Sequence, residues 1–236
     1  MEAGQVRSVA EVLKQGRTRP GRQTAHVFVH ETLRNAILDG ELNGGTRLIQ
    51  SEVAEALSVS ATPVREALRD LAAEGLIRLD AHRGGVVHQL SLSELEEIYQ
   101  LRAILEPEAL RRAWPHLTDE VVESCARLHE AMQRSPTRSE WVRLNSRFHD
   151  SVFELADAPR LLAILASLTA PWIMYVSASL ASDVEHHERA SAGHEEILAA
   201  LRSRDLEAAI EATLEHLAIT HRTLESAEVD RTTIIG

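Results

Sequence analysis

Apolar positions recur along this chain at helical spacing, with one short exception. From Thr24, the residues Val27, Leu33, Ile37 and Leu38 fall on one helical face, and Gly40 and Gly44-Gly45 end the run. Ser51 is placed to cap a short helix, EVAEAL, and Ser58-Val59-Ser60 form a turn. A second helix is predicted from about Thr62 to Glu74, with Gly75 as its C-cap. In it Val64, Ala67, Leu68 and Leu71 stand at i, i+3, i+4 and i+7, a stripe that must be buried. The exception follows. Residues 76–80 and 85–88 read as extended, with His82-Arg83-Gly84 between them and Gly84-Gly85 at the turn, which predicts a β-hairpin.

Beyond Leu90 every segment reads as helix. Ser93-Glu94-Leu95-Glu96 resembles a capping box opening a helix to about Trp114, and Thr118 caps the next, to about Gln133. Ser135-Pro136-Thr137 is a break, and Ser139 opens a third helix to about Ala156. Pro159 fits the first turn of a fourth and Pro171 the start of a fifth. Asp183 opens a sixth, to about Arg202, and Asp205 a seventh, to about Ala227. The predicted organisation is an arm at 1–23, a helix-turn-helix with hairpin at 24–90, an all-α domain at 91–228 and a tail at 229–236. The arm holds Arg17, Arg19 and Arg22 beside Pro20-Gly21, and reads either as a flexible tail or as a basic arm that tracks phosphates.

Composition sharpens this picture. With 44% apolar but only 3% aromatic residues, the cores must be built from Leu, Ala, Val and Ile, which favours helix. A single cysteine, Cys125, excludes an internal disulfide framework and fits a reducing cytosol. No apolar run reaches membrane-span length and the first residues contain no signal-like apolar stretch, so a cytoplasmic location without a membrane partner is expected. The net charge of −11 is unevenly spread. Residues 1–90 carry 11 basic and 11 acidic residues, leaving 14 of the 25 basic and 25 of the 36 acidic residues to 91–236. The neutral front half can present a basic face, whereas the acidic back half should stay off nucleic acid.

Two short helices, a tight turn and a hairpin are the layout of a winged helix-turn-helix, whose second helix enters the major groove. Opposite the buried stripe lie Thr62, Arg65 and Arg69, a hydroxyl and two guanidinium groups suited to phosphates and guanine edges. A solvated helix with Arg65–Glu66 and Arg69–Asp70 charges is the bland alternative. The order helix, turn, helix, hairpin favours the reader. The stretch LRNAILDGELNGGTRLIQSEVAEALSVSATPVREALRDLAAEGLIRLDAHRGGVVH resembles the DNA-reading domain of the GntR family, and VSATPVREALRDLAAEGL is its specific core. The resemblance implies that Arg34 contacts phosphate, that Thr62 and Arg65 contact the site, and that Gly84 at the wing tip enters the minor groove. Arg47 and Arg69 complete the expected DNA-contacting set. The family usually has Arg between the Ser and Thr of this core, where this chain has Ala61. Losing such a contact forfeits roughly 1–3 kcal/mol of base discrimination.

The runs IYQLRAILEPEALRRA, LNSRFHDSVFELADAPRLL, AGHEEILAALRSRDLEAAI and LEHL resemble the FCD domain, which follows the reader in the FadR subfamily. Asn145 and His149 share a helix face at i, i+4, and His194 and His216 lie on later helices. Three imidazoles on three helices can converge in a bundle core. By resemblance His149, His194 and His216, with Asn145 in place of the usual Asp, are the ligands of a divalent metal: zinc first, with nickel, manganese or iron as alternatives. His186, His187 and His221 match no ligand position and are expected to be exposed, although His187 shares the face of His194. Arg102 precedes Glu106 by four residues, and reads either as a weak i, i+4 ion pair or as the guanidinium that binds an effector carboxylate. Arg147 points away from the metal face, and Trp114, Trp141 and Trp172 read as packing residues.

Together these readings predict a mainly α protein and a non-enzymatic regulator, expected to be a repressor. A homodimer would bind a pseudo-palindromic operator in double-stranded DNA, modulated by a small organic acid held near the metal and Arg102. A metallohydrolase is the alternative from another class, but no H-E-x-x-H motif is present. A regulator with a purely structural metal and no effector is the third reading.

Overall fold

Four helices of this chain begin where a hydroxyl side chain caps an apolar stripe. The computed structural model describes residues 8–14, 23–80, 84–182 and 184–235, without the side chains of 170, 182, 184–186 and 227–235. It divides into two compact units, Met1–Gln89 and Leu90–Gly236.

In the first unit, α1 (Val9–Lys14) buries Val12 and Leu13 and packs on the third helix. The expected arm is therefore helical at 9–14, because two adjacent apolar side chains need cover; Arg17, Arg19 and Arg22 lie outside the described residues. Thr24 caps α2 (Ala25–Leu38), its side chain accepting from the Val27 amide. Strand β1 (Arg47–Ile49) runs directly into α3 (Gln50–Ala56), which places Ser51 inside that helix and leaves Ile49 as an N-cap without a side-chain bond. Helix α4 (Ala61–Ala73) buries Val64, Ala67, Leu68 and Leu71 against α2, as the stripe requires, and Gly75 closes it at φ 68°.

Strands β2 (Ile77–Asp80) and β3 (Gly84–Val87) form the hairpin. The sheet order is β1-β3-β2, all antiparallel. Three residues are too few to show a period, so β1 escaped the sequence pattern. Gly84 was expected in the turn and is instead the first residue of β3, opposite both Ile49 and Asp80. Its φ is +130°, and a Cβ there would lie 2.0 Å from the Leu48 carbonyl oxygen, so close strand approach requires glycine. The turn at 81–83 lies outside the described residues.

The second unit is all helix. Ser91, not Ser93, caps α5 (Leu92–Ala113), accepting from the Glu94 amide. Thr118 caps α6 (Asp119–Gln133). Thr137, not Ser139, caps α7 (Arg138–Phe153), which ends in a 3-10 turn at Glu154–Ala156. The predicted fourth and fifth helices are one element, α8 (Pro159–Ser182), with Pro171 inside it and a bend of 41° between its halves. Proline removes one helical hydrogen bond and crowds the preceding turn, and here it bends the helix without ending it. Helices α9 (Val184–Ser203) and α10 (Leu206–Ile235) complete the unit, and α10 runs through most of the expected tail. Asp205 caps α10, accepting from the Ala208 amide. The Tyr175 hydroxyl fastens α8 to the start of α5, accepting from the Ser91 amide at 3.2 Å and donating to Glu94 at 2.7 Å. Among the described residues no single helix is long and apolar enough to cross a membrane.

Candidate nucleic-acid interface and metal centre

Burial divides α4 into two faces. Thr62, Arg65 and Arg69 are exposed on the side away from the apolar stripe, and Ala61 is exposed with them. Asp70 is held by His26 on α2 at 2.7 Å, and Arg65 and Arg69 have no ion-pair partner among the described residues. Arg47 is likewise exposed, on β1. Arg34 is different: its Nε donates to Glu74 at 3.2 Å. His30 reaches the same carboxylate at 2.6 Å. Burial alone would raise the Glu74 carboxyl, but the hydrogen bond and charge of His30, with the charge of Arg34, hold it below its ordinary value. These pairs lock α2 to the end of α4, so the exposed arginines stand on a braced helix.

In the second unit the expected ligands come together. His149 on α7, His194 on α9 and His216 on α10 place ligand-capable atoms within 4.8 Å of one another. His194 is fully buried, and its Nε2 lies 2.9 Å from Asn145 Oδ1. An amide oxygen only accepts, so Nε2 carries the proton. Nδ1 is left bare and buried, with no partner among the described residues. Burial pushes His149 and His194 well below the ordinary histidine range, and the neighbouring imidazoles, His216 first, add to the shift. Both rings are thereby kept neutral, the form that ligates a metal. A buried bare nitrogen, neutral rings and a neutral amide oxygen fit a borderline cation of the zinc, nickel or iron type.

Two supporting residues were not singled out from sequence. A Cβ at Gly193 would lie 2.7 Å from His216 Nδ1, so glycine is what lets α9 and the His216 ring approach. His129 on α6 is buried edge-on to His194, with ring centroids 5.8 Å apart, and its Nε2 lies 3.2 Å from the Gln133 amide. Neither spacing nor periodicity marks either one. Of the remaining histidines, His187 is exposed, and the side chain of His186 lies outside the described residues. His221 departs from expectation. It stacks on Tyr99 at 4.6 Å and is ion-paired with Glu96, which leaves it mostly covered.

Arg102 lines the same cavity as His149 and His216, which encloses a free volume of about 30 Å³. The i, i+4 ion pair forms, and it is buried: Arg102 and Glu106 are only 5% and 2% exposed. The Arg102 Nε and Nη2 atoms each reach Glu106 Oε1 at 2.6 Å. Nη1 donates to Thr169 on α8 at 3.0 Å, and the guanidinium carbon sits 5.3 Å from the centre of the Trp172 ring. Trp141 and Trp172 are buried, and both also line this cavity. Trp114 is half-buried elsewhere, and Arg147 is exposed.

A winged helix-turn-helix followed by an all-helical domain with an internal cavity is the architecture of a DNA-binding transcriptional regulator. Residues 26–87 match the pattern of bacterial regulatory proteins of the gntR family, and residues 97–219 match the FCD domain. The chain is 32% identical over 199 residues to a probable D-xylose utilization operon transcriptional repressor of Paenarthrobacter nicotinovorans, covering 84% of this chain and 87% of the relative. It is 30% identical over 191 residues to the gluconate operon transcriptional repressor of Bacillus licheniformis, covering 78% of each. Its fold is similar to that of E. coli McbR/YncC, with a TM-score of 0.68 at 22% identity over 89% of this chain and 99% of that one. The chain belongs to the GntR family and carries an FCD domain.

Proposed function

We propose that the chain is a repressor that binds a pseudo-palindromic operator as a homodimer, and that a small organic acid, held between a divalent metal and Arg102, releases it. The observation that carries this reading is convergence: Asn145, His149, His216 and Arg102 line one cavity, with His194 hydrogen-bonded to Asn145. His149, His194 and His216 would hold the metal, and Asn145 would turn its carbonyl from His194 towards it. Bound there, a divalent cation supplies a Lewis-acidic anchor for a carboxylate oxygen. Arg102 supplies a second, fixed positive group suited to a planar anion.

On DNA, Arg65 and Thr62 would meet the site directly, with Arg47 and Arg69 supplying further contacts and Arg34 a phosphate contact. Repression is the direction both named relatives share. A second copy would cover the exposed apolar side chains Leu101 and Ile104 on α5 and Ile164 on α8. The acidic charge of the helical unit keeps that unit off DNA and leaves binding to the reader.

The test is operator binding. A duplex selected from random sequence is labelled, and its anisotropy is followed with metal-loaded protein against a panel of organic acids. At least one acid is expected to weaken binding ten-fold or more, and a chelator to abolish that response. Binding that responds to the chelator but to no acid contradicts the effector role and leaves a structural metal.

A further inference from the structure

Arg102 is not an open receptor. Nε and Nη2 are directed to Glu106 and Nη1 to Thr169. The cavity around it has a volume of about 30 Å³. A carboxylate can take the Nε/Nη2 edge of the guanidinium only if Glu106 gives way. Buried ion pairs contribute little net stability, because desolvation offsets most of the attraction. This pair nevertheless sits in the cavity wall beside His149, where two charges are costly unless the site uses them.

We propose that Glu106 is an internal stand-in for the effector: its carboxylate occupies the guanidinium in the ligand-free protein, and a carboxylate ligand binds by taking its place. The inference rests on the effector reading above and adds the residue that sets its threshold. The first support is geometric. Arg102 and Glu106 stand at i, i+4 on α5, and two guanidinium nitrogens converge on Oε1 at 2.6 Å. An external carboxylate is free to approach in the parallel two-bond geometry that the guanidinium fork prefers. The second support is electrostatic. Burial pushes the Glu106 carboxyl up against the lowering effect of Arg102, with Asp150 adding to the rise, so burying this carboxylate carries a desolvation cost that the Arg102 contact offsets.

The location of the exchange also gives it a consequence. Thr169 and Trp172, which touch Arg102, lie on either side of the bend in α8. A guanidinium that changes partners shifts its contacts with both halves of that helix. Binding at the cavity is thereby linked to the shape of an element packed against α5, α7 and α10.

The test uses the full chain at equal metal content, with acetate and citrate as probes in calorimetric titrations of wild type, Glu106→Asp and Glu106→Gln. Glu106→Asp retracts the carboxylate by one methylene and keeps its charge, so it guards against a folding failure in Glu106→Gln. Affinity is expected to rise in the order wild type, Glu106→Asp, Glu106→Gln, by ten-fold or more across the series. Adding Arg102→Gln to Glu106→Gln is expected to abolish the gain. Equal or weaker binding in both folded Glu106 variants, with Arg102-dependent binding retained in wild type, overturns the stand-in and leaves the effector site. Absence of binding by either probe in every variant overturns both.

Discussion

Gly193 has no side chain where the His216 ring needs the space. A Cβ there would press on Nδ1 at 2.7 Å, so Gly193→Ala is expected to displace the ring and weaken metal binding by about 10- to 100-fold, the range typical of supporting groups around a ligand. Helix content by circular dichroism should be unchanged, since alanine is the better helix former. Unaltered metal affinity would mean that His216 is not a ligand. Glu74 gives a pH prediction at the same scale. Its folded carboxyl lies below its unfolded value, so its contribution is present above the unfolded value and is lost as pH falls through the folded one. The carboxylate is 34% exposed, so its worth stays within the roughly 0–1 kcal/mol of screened pairs. The stability difference between wild type and Glu74→Gln, from urea midpoints, should shrink towards zero between pH 7 and pH 3.

At the scale of elements, α4 has separate jobs on separate faces. Leu68→Ala removes a buried side chain and should cost ~2–5 kcal/mol of stability. Arg65→Ala should leave stability alone and weaken operator binding by ~1–3 kcal/mol if the guanidinium reads a base. Urea unfolding and anisotropy on the same two variants separate these effects. This division was legible in the sequence because the stripe at 64, 67, 68 and 71 has a period, and its complement follows from geometry. The three histidine positions came from resemblance, since periodicity places each on its own helix face without saying that the faces meet. The fusion of two expected helices into α8 was not legible, because Pro171 reads the same whether it starts a helix or bends one. The depth of the Arg102–Glu106 pair was hidden for a similar reason: an i, i+4 spacing is identical at the surface and in the core.

The whole molecule comprises two compact units, one holding the winged helix-turn-helix and the other the helical FCD domain. A ligand that binds only the folded state stabilises it, by ~4 kcal/mol at a thousand times its dissociation constant. Metal should therefore raise the unfolding temperature of the helical unit and leave that of the reader nearly unchanged, giving two calorimetric transitions that a chelator draws together or inverts. A single transition insensitive to chelator contradicts metal binding in the helical unit. As proposed above, His149, His194 and His216 hold a divalent cation that makes this cavity a receptor for acids. Elemental analysis of the purified protein beside His149→Ala and His216→Ala tests it most directly. Near-stoichiometric metal is expected in wild type, with its loss in both variants. Metal-free wild type even after reloading, or metal retained in both variants, would contradict it.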